Sequence, residues 1–261
     1  MKRRHFLFLP LVGLFAKTGL GKTALGRAIK LQTDNRLRLW YRQPAENWNE
    51  ALPIGNGRLA AMIFGGIENE KIQLNEDTIW AGEKRNRANP EGPKNLSEVR
   101  RLLFAGQPDA AEALAEKTII AVPKRMPPYQ PLGDLILHFN GIEKPVDYVL
   151  ELDIDSAVAR VSFESGGVKF TREFFASAAD DVIVIRLTAD KTNRLSFNST
   201  LTREADSRTR VVSSNRVMID GEAITRGDRH PMERKVGVKF TGVLEIRPDG
   251  GQMRSDGDKL I

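Results

Sequence analysis

The chain has 261 residues, 41% of them hydrophobic and 28% charged, so it is long enough to bury a sizeable core as one large domain or as two ordinary ones. Its formal net charge of +6 comes from the N-terminus: seven of the 40 basic residues and none of the acids lie within residues 1–30, which leaves 33 basic against 34 acidic residues. This distribution removes the main support for a nucleic-acid partner, and the absence of cysteine excludes disulfides, thiolate metal sites and thiol nucleophiles.

Histidine is rare and scattered. The chain contains only His5, His138 and His230, far apart in the sequence. A metal centre or a nucleophile–histidine–acid triad needs such groups to converge, and no motif in the sequence brings them together. We therefore expect neither a metal nor another cofactor.

Residues 1–26 are predicted to be an export signal. Lys2, Arg3 and Arg4 precede an apolar run over residues 6–16, which is too short to cross a bilayer of ~30 Å as a stable span. The Arg3–Arg4 pair also fits a twin-arginine signal. The expected location is periplasmic or extracellular.

A phosphate-binding motif is almost present in the same segment. Residues 16–23 read AKTGLGKT, close to the G-x-x-x-x-G-K-T loop that cradles phosphates, but Ala16 replaces the first glycine. No second strand–helix–strand unit follows, so nucleotide binding is not expected.

From residue 37 the pattern becomes β. Alternation predicts strands over residues 37–41, 58–64 and 71–74, with glycine-rich turns at 55–57 and 65–66. All three tryptophans, Trp40, Trp48 and Trp80, lie in this region. The sequence NEDTIW over residues 75–80 is too polar for a core strand and is predicted to be a strand end or an ordered turn.

A small helical insert is predicted near residues 95–120. Residues 95–105 have helical periodicity, with Asn95 or Ser97 as the N-cap, Gly106 as the stop and a second helix from Pro108. The first helix should present one apolar face, made of Val99, Leu102 and Leu103. One interpretation is that the insert covers an open end of a β-sandwich.

After the proline-rich residues 126–131, short strands recur at intervals typical of a large antiparallel β-sandwich. The clearest is a hairpin in which alternating residues 157–164 turn through Ser165, Gly166 and Gly167. Strands are predicted at 134–139, 148–155, 157–164, 168–175, 182–189, 195–202, 217–219 and 236–246.

The last residues, 259–261, look like the start of one more strand without a partner. This pattern predicts that the sequence is truncated at its C-terminus, and the alternative is a frayed tail.

Several motifs in one order resemble a known family. The runs LWYRQPAENWNEALPIGNGRLAAMIFGG, IQLNEDTIWAG, VRRLLFAG, YQPLGDL and ELDIDSAVARVSFESGGVKFTREFFAS are similar to the N-terminal domain of glycoside hydrolase family 95, whose members are mainly α-L-fucosidases. The resemblance covers residues 37–261 and implies a β-super-sandwich domain, mainly β in class.

In full-length members of that family an (α/α)₆ barrel carries the catalytic acid and its partners. Because this sequence ends before such a barrel, the resemblance transfers no catalytic residue, and we expect the chain alone to be inactive. Inverting glycosidases need two carboxyl groups roughly 6.5–9.5 Å apart. Glu76 and Asp77 are adjacent, and adjacent residues of a strand point to opposite faces.

The sequence does suggest one wall of a sugar-binding cleft that the missing barrel would complete. Aromatic rings stack on sugar C–H faces, and amide or carboxylate groups bind hydroxyls. The candidates are Trp48, Asn56, Asn75, Glu76 and Trp80. Each has a structural alternative: the tryptophans as core, Glu76 as a turn cap, and Asn56 as a residue that tolerates left-handed backbone.

Two functions therefore stay open. The chain is either the N-terminal β-domain of an exported α-L-fucosidase-like glycoside hydrolase or a freestanding carbohydrate-binding or interaction module. The expected partners are a fucosylated oligosaccharide or glycan and the barrel domain.

Overall fold

A computed structural model describes residues 37–224 and 236–261 of the chain. The export signal predicted at 1–26, the near-phosphate loop at 16–23, His5 and His230 lie outside the described residues. The described part is mainly β, with two α-helices and a short 3₁₀ helix. None of its helices is both long and apolar enough to cross a membrane.

Fifteen strands are present in the described residues. They are β1 (Arg38–Tyr41), β2 (Leu52–Gly55), β3 (Leu59–Ile63), β4 (Asn69–Glu76), β5 (Gly133–Phe139), β6 (Val146–Asp153), β7 (Val158–Ser165), β8 (Val168–Ser177), β9 (Val182–Ala189), β10 (Phe197–Thr202), β11 (Ser207–Ser213), β12 (Arg216–Glu222), β13 (Lys239–Glu245), β14 (Ser255–Asp256) and β15 (Lys259–Leu260).

The strands form three antiparallel sheets. Five strands pair in the order β1-β6-β7-β8-β9, seven in the order β14-β15-β10-β5-β4-β3-β2 and three in the order β11-β12-β13. One core cluster contains side chains from both large sheets, such as Phe163 and Phe174 from the first and Ile72 and Phe139 from the second. The two sheets therefore pack face to face, which confirms the predicted β-sandwich.

The hairpin of β7 and β8 forms as the sequence predicts. Ala159, Val161 and Phe163 alternate with exposed or half-buried residues and are themselves almost completely buried. Ser165 pairs with Val168, so Gly166 and Gly167 form a two-residue turn with φ values of 57° and 68°. Two consecutive positive φ values define the turn type that matches strand twist and favours glycine.

A buried ion pair connects the two large sheets. Arg172 of β8 lies 3.2 Å from Glu70 of β4, and their side chains are 2% and 0% exposed. Arg172 also donates to the carbonyls of Gly66 and Ile67, and Glu70 accepts from the N–H of Gly65 at 2.8 Å. Burial raises the pKa of Glu70 to about 7, although the charge of Arg172 opposes this shift.

The helical arm, residues 83–127, lies between the neighbouring strands β4 and β5. It contains helices α1 (Gly92–Phe104) and α2 (Pro108–Thr118), as predicted for an insert near 95–120. The predicted N-cap was wrong, because α1 begins at Gly92 with Pro93 in its first turn rather than at Asn95 or Ser97. Proline suits the first turn, where its missing N–H leaves no helical bond broken.

The arm does not cover the sandwich core. Val99 and Ala111 are its buried helical residues, and neither belongs to the core clusters formed by the sheets. The predicted apolar face was also partly wrong, since Leu103 is 55% exposed. The helices therefore bury side chains against one another rather than against the sheets.

The final strand is paired on both sides, contrary to expectation. Leu260 pairs with Ser199 of β10 and with Ser255 of β14, and it is 1% exposed. Three strands were not predicted, β2, β11 and β14. The other predicted strands match the observed ones, although β13 covers only Lys239–Glu245 of the predicted 236–246.

Candidate functional site

Four of the five candidate residues lie at one end of the seven-stranded sheet. Gly55 pairs with Ala60 at the end of β2, and Leu59 pairs with Glu76 at the end of β4. Because these strands pair antiparallel, the turn after β2 and the segment after β4 emerge side by side. We call the residues gathered there, 56–58, 75–80, 129 and 181, the sheet-end cluster.

Asn56 organises the turn between β2 and β3. Its Oδ1 accepts hydrogen bonds from the N–H groups of Arg58 at 3.0 Å and Leu59 at 2.7 Å, and its Nδ2 donates to Ser177 O at 2.9 Å. The positive φ of this turn, 94°, belongs to Gly57 rather than to Asn56. Asn56 is therefore placed by its side-chain hydrogen bonds, and the expectation that it tolerates left-handed backbone was wrong.

Glu76 is 8% exposed, and both of its carboxylate oxygens accept hydrogen bonds. One carboxylate oxygen accepts from Arg58 Nε at 3.0 Å, and the other accepts from the N–H and hydroxyl of Thr78 at 2.9 and 2.6 Å. Burial alone would raise the pKa of Glu76, but the hydrogen bonds from Thr78 and Arg58 lower it below its usual value. Glu76 is thus an ionised turn cap and anchors Arg58, which also pairs with Asp181.

The exposed rings of Trp80 and Tyr129 and the half-buried Asn75 form the outer part of the sheet-end cluster. The rings of Trp80 and Tyr129 meet edge to face, with centroids 5.6 Å apart and planes at 67°. The phenol of Tyr129 donates to Asn75 Oδ1 at 3.0 Å, and Trp80 Nε1 donates to Asp77 O at 3.0 Å. Burial raises the pKa of Tyr129. Trp80 is 40% exposed, so part of its ring is open to solvent.

Backbone pairing fixes this aromatic pair. Trp80 and Tyr129 form an isolated β-bridge, and Trp80 O accepts from the N–H of Val238 at 3.0 Å. Ile79, between the cluster and the interior, is 1% exposed and packs with Ala223 and Phe240. The two rings therefore lie next to a small buried cluster of apolar side chains.

Trp48 lies apart from these residues. It begins a 3₁₀ helix, Trp48–Glu50, whose N-cap is the side chain of Asn47. That helix precedes β2, whereas Asn56 follows it, so the two candidates flank opposite ends of the strand. Trp48 is 55% exposed.

The chemistry available at the sheet-end cluster is recognition. Glu76 and Asp181 share Arg58 as a cationic partner. By contrast, the Nδ2 of Asn75 donates no hydrogen bond to any residue of 37–224 or 236–261, and the aromatic rings offer apolar surface. Within those same ranges no three His, Asp or Glu side chains converge as metal ligands would.

Sequence reasoning missed Arg58, Tyr129 and Asp181. Arg58 follows the GNG turn, and Tyr129 lies within the proline-rich residues 126–131. Asp181 is 123 residues from Arg58 in sequence. No local signal connects positions so far apart.

Comparison with known proteins gives consistent matches. The profile of a family described as "Glycosyl hydrolase family 65, N-terminal domain" matches residues 39–261. A protein of Arabidopsis thaliana named alpha-L-fucosidase 2 is 36% identical over 244 residues, which cover 86% of this chain and 28% of the relative.

Two fungal proteins are also similar, each named probable alpha-fucosidase A. The Aspergillus niger protein is 30% identical over 182 residues, or 65% of this chain, and the Aspergillus oryzae protein is 27% identical over 163 residues, or 59%. Each match covers 22% of the fungal protein. The chain thus spans about a quarter of the length of the curated relatives it matches.

Proposed function

We propose that this chain, which belongs to the glycosyl hydrolase family 65 N-terminal domain family, is the β-domain of an exported α-L-fucosidase-like glycoside hydrolase. Its predicted likeness to the N-terminal domain of the α-L-fucosidase family is confirmed by the same matches. The observation that carries this proposal is the 36% identity to alpha-L-fucosidase 2 over 244 residues. In this proposal the domain supports hydrolysis of terminal fucosyl linkages only together with an (α/α)₆ barrel.

The sheet-end cluster supports a role as one wall of the substrate cleft. The exposed rings of Trp80 and Tyr129 and the half-buried Asn75 combine ring surface with a free amide donor, which is the combination that sugars require. Asn56 and Glu76 act behind them by fixing Arg58 and the turns. Trp48 belongs to this wall only if the cleft extends along β2.

The first test is catalytic. The full chain, incubated with an aryl α-L-fucoside or with 2′-fucosyllactose, should release no fucose, because the proposal assigns the catalytic acid to the barrel and Arg58 holds two of the three carboxylates of the cluster, Glu76 and Asp181. Clear turnover that survives repeated purification would overturn the assignment of catalysis to another domain.

The second test places the domain in an enzyme. Residues 37–261 would replace the matching segment of the Arabidopsis alpha-L-fucosidase 2, and the chimera should hydrolyse fucosides. Trp80→Ala in that chimera should raise KM at least several-fold, whereas Trp40→Ala, which removes a more exposed tryptophan from β1 of the other sheet, should not. Equal effects of the two substitutions would refute the cleft wall.

A freestanding carbohydrate-binding module is the second candidate, favoured by the partly exposed Trp48 and Trp80. Calorimetric titration of the full chain with fucosylated oligosaccharides distinguishes the two. A module should bind with a measurable enthalpy, whereas one wall of a divided cleft should give no saturable heat.

A further inference from the structure

The helical arm presents an apolar and charged surface that nothing in the described residues covers. Only Val99 of α1 and Ala111 of α2 are buried, whereas Leu96 and Leu103 are 39% and 55% exposed. Exposed leucines at a seven-residue spacing on a helix form a stripe of the kind that packs between helices.

The two helices form an antiparallel hairpin. A β-carbon at position 92, where α1 begins, would lie 3.4 Å from Thr118 O, where α2 ends. The side chain of Asn89 also donates to the carbonyls of Lys117 and Ile120, at 3.1 and 3.2 Å. The start of one helix therefore lies beside the end of the other.

One face of this hairpin carries residues from both helices. Arg100 directly follows Val99, and Glu112 directly follows Ala111, so each is rotated by about 100° from its buried neighbour in the same sense. Because the helices run antiparallel, equal rotations bring both side chains to the same face. Leu96 and Leu103 share this face, since each follows a half-buried residue of the seam between the helices. We call it the arm face.

The two helices contribute opposite charges to the arm face, a cation from α1 and an anion from α2. Arg100 and Glu112 form no ion pair with any residue of the described ranges, although three ion pairs form elsewhere in the arm. The division extends to the whole helices, which carry opposite net charges. Helix α1 has Lys94, Arg100 and Arg101 against Glu98, and α2 has Asp109, Glu112 and Glu116 against Lys117.

Arg100 and Glu112 also lie at the same level along the axis of the hairpin. Arg100 lies four residues before the end of α1 at Phe104, and Glu112 lies four residues after the start of α2 at Pro108. In an antiparallel hairpin these positions are level. A two-fold axis parallel to the helices leaves the position of each residue along the helix axis unchanged and places α1 of one copy against α2 of the other. Arg100 of each copy therefore faces Glu112 of the other copy.

We propose that the arm face is a self-association surface through which two copies of this chain form an antiparallel four-helix bundle. The four leucines, two from each copy, lie between the hairpins, and two Arg100–Glu112 pairs flank them. Such an interface is isologous, with the same surface used by both copies. All adjacent helices in the bundle are antiparallel, the arrangement of up-and-down bundles.

The test measures the mass of the full chain by sedimentation equilibrium over a range of concentrations. The wild-type chain should dimerise, and Arg100→Glu should weaken the dimer by at least about tenfold, because like charges then face each other twice. Glu112→Arg should have the same effect. The double variant Arg100→Glu with Glu112→Arg restores opposite charges and should return the dissociation constant to near the wild-type value.

Two controls keep the result specific. Lys94→Glu makes the same charge change on the opposite side of α1 and should leave the dimer intact, and circular dichroism should show the same helix content in every variant. Every variant has the same N-terminal segment, so differences between them report on the arm. A chain that stays monomeric at about 500 μM, or a double variant no better than the single ones, would overturn the proposal.

Discussion

Replacing Arg172 by methionine should destabilise the chain far more than replacing any surface arginine. Methionine keeps an unbranched apolar stem beside Phe139, but it removes the guanidinium, whose Cζ lies 3.7 Å from the centroid of that ring and which is the partner of Glu70. Loss of one member of a buried pair typically costs about 3–5 kcal/mol. Two backbone carbonyls, of Gly66 and Ile67, lose their donors as well.

The matched control is Arg160→Met. Arg160 lies on the adjacent strand β7 and pairs with Glu151 and Glu173, but its side chain is 40% exposed. Surface pairs of this kind contribute about 0.2–1 kcal/mol each. Urea denaturation of the full-length variants at pH 7.5 should therefore separate the two substitutions by at least about 2 kcal/mol.

The pH dependence tests the cause. The pKa of Glu70 is raised to about 7 in the folded chain, so its contribution to stability is present at low pH and is lost as the pH rises through 7. Removing Arg172 removes the charge that opposes this rise. The destabilisation should consequently shrink at pH 5.5, where Glu70 is protonated, and Glu70→Gln combined with Arg172→Met should recover part of the loss at pH 7.5. A loss equal to that of Arg160→Met, or one independent of pH, would refute the reasoning.

Three further substitutions test turns of the seven-stranded sheet: Gly57 and Glu76 lie in the sheet-end cluster, and Gly66 lies at the opposite end, between β3 and β4. Gly66→Ala should prevent stable folding, because its β-carbon would lie 1.9 Å from Asn69 O, whereas Gly57→Ala, with nothing within 4 Å but a φ of 94°, should cost only about 1 kcal/mol in thermal melts. A tolerant Gly66 would show that this turn can move. Glu76→Gln should cost about 1–3 kcal/mol at pH 7. Because hydrogen bonds keep the pKa of Glu76 low despite its burial, this stabilisation is lost on acidification, so variant and wild type should converge in urea titrations as the pH falls below the usual range of a glutamate pKa; a gap that widens toward low pH would contradict it.

The elements that could be predicted from the sequence are those with strong local signals. The β7–β8 hairpin combines strict alternation with a two-glycine turn, and both signals act within a few residues. Strand β2 was missed because Pro53 interrupts its pattern. Proline is tolerated there because β2 forms the edge of its sheet, where one side has no ladder to complete.

The partners missed at the candidate site share a physical cause. Asn56, Glu76 and Trp80 could be suspected from their residue types, but their roles depend on partners from distant strands. Ser177 fixes Asn56 across the sandwich, and Asp181 joins Arg58 from 123 residues away. Periodicity reports which face of a strand is buried, and it carries no information about which strand lies opposite.

The position of the helical arm has a consequence for how this domain varies over evolutionary time. The arm is threaded between β4 and β5, which are hydrogen-bonded neighbours, and Leu74 pairs with Gly133 whatever the intervening segment contains. Loop-closure entropy grows only slowly with length. Insertions and deletions can therefore accumulate between these two strands without shifting sheet register, so surface novelty can be gained there while the scaffold is inherited unchanged.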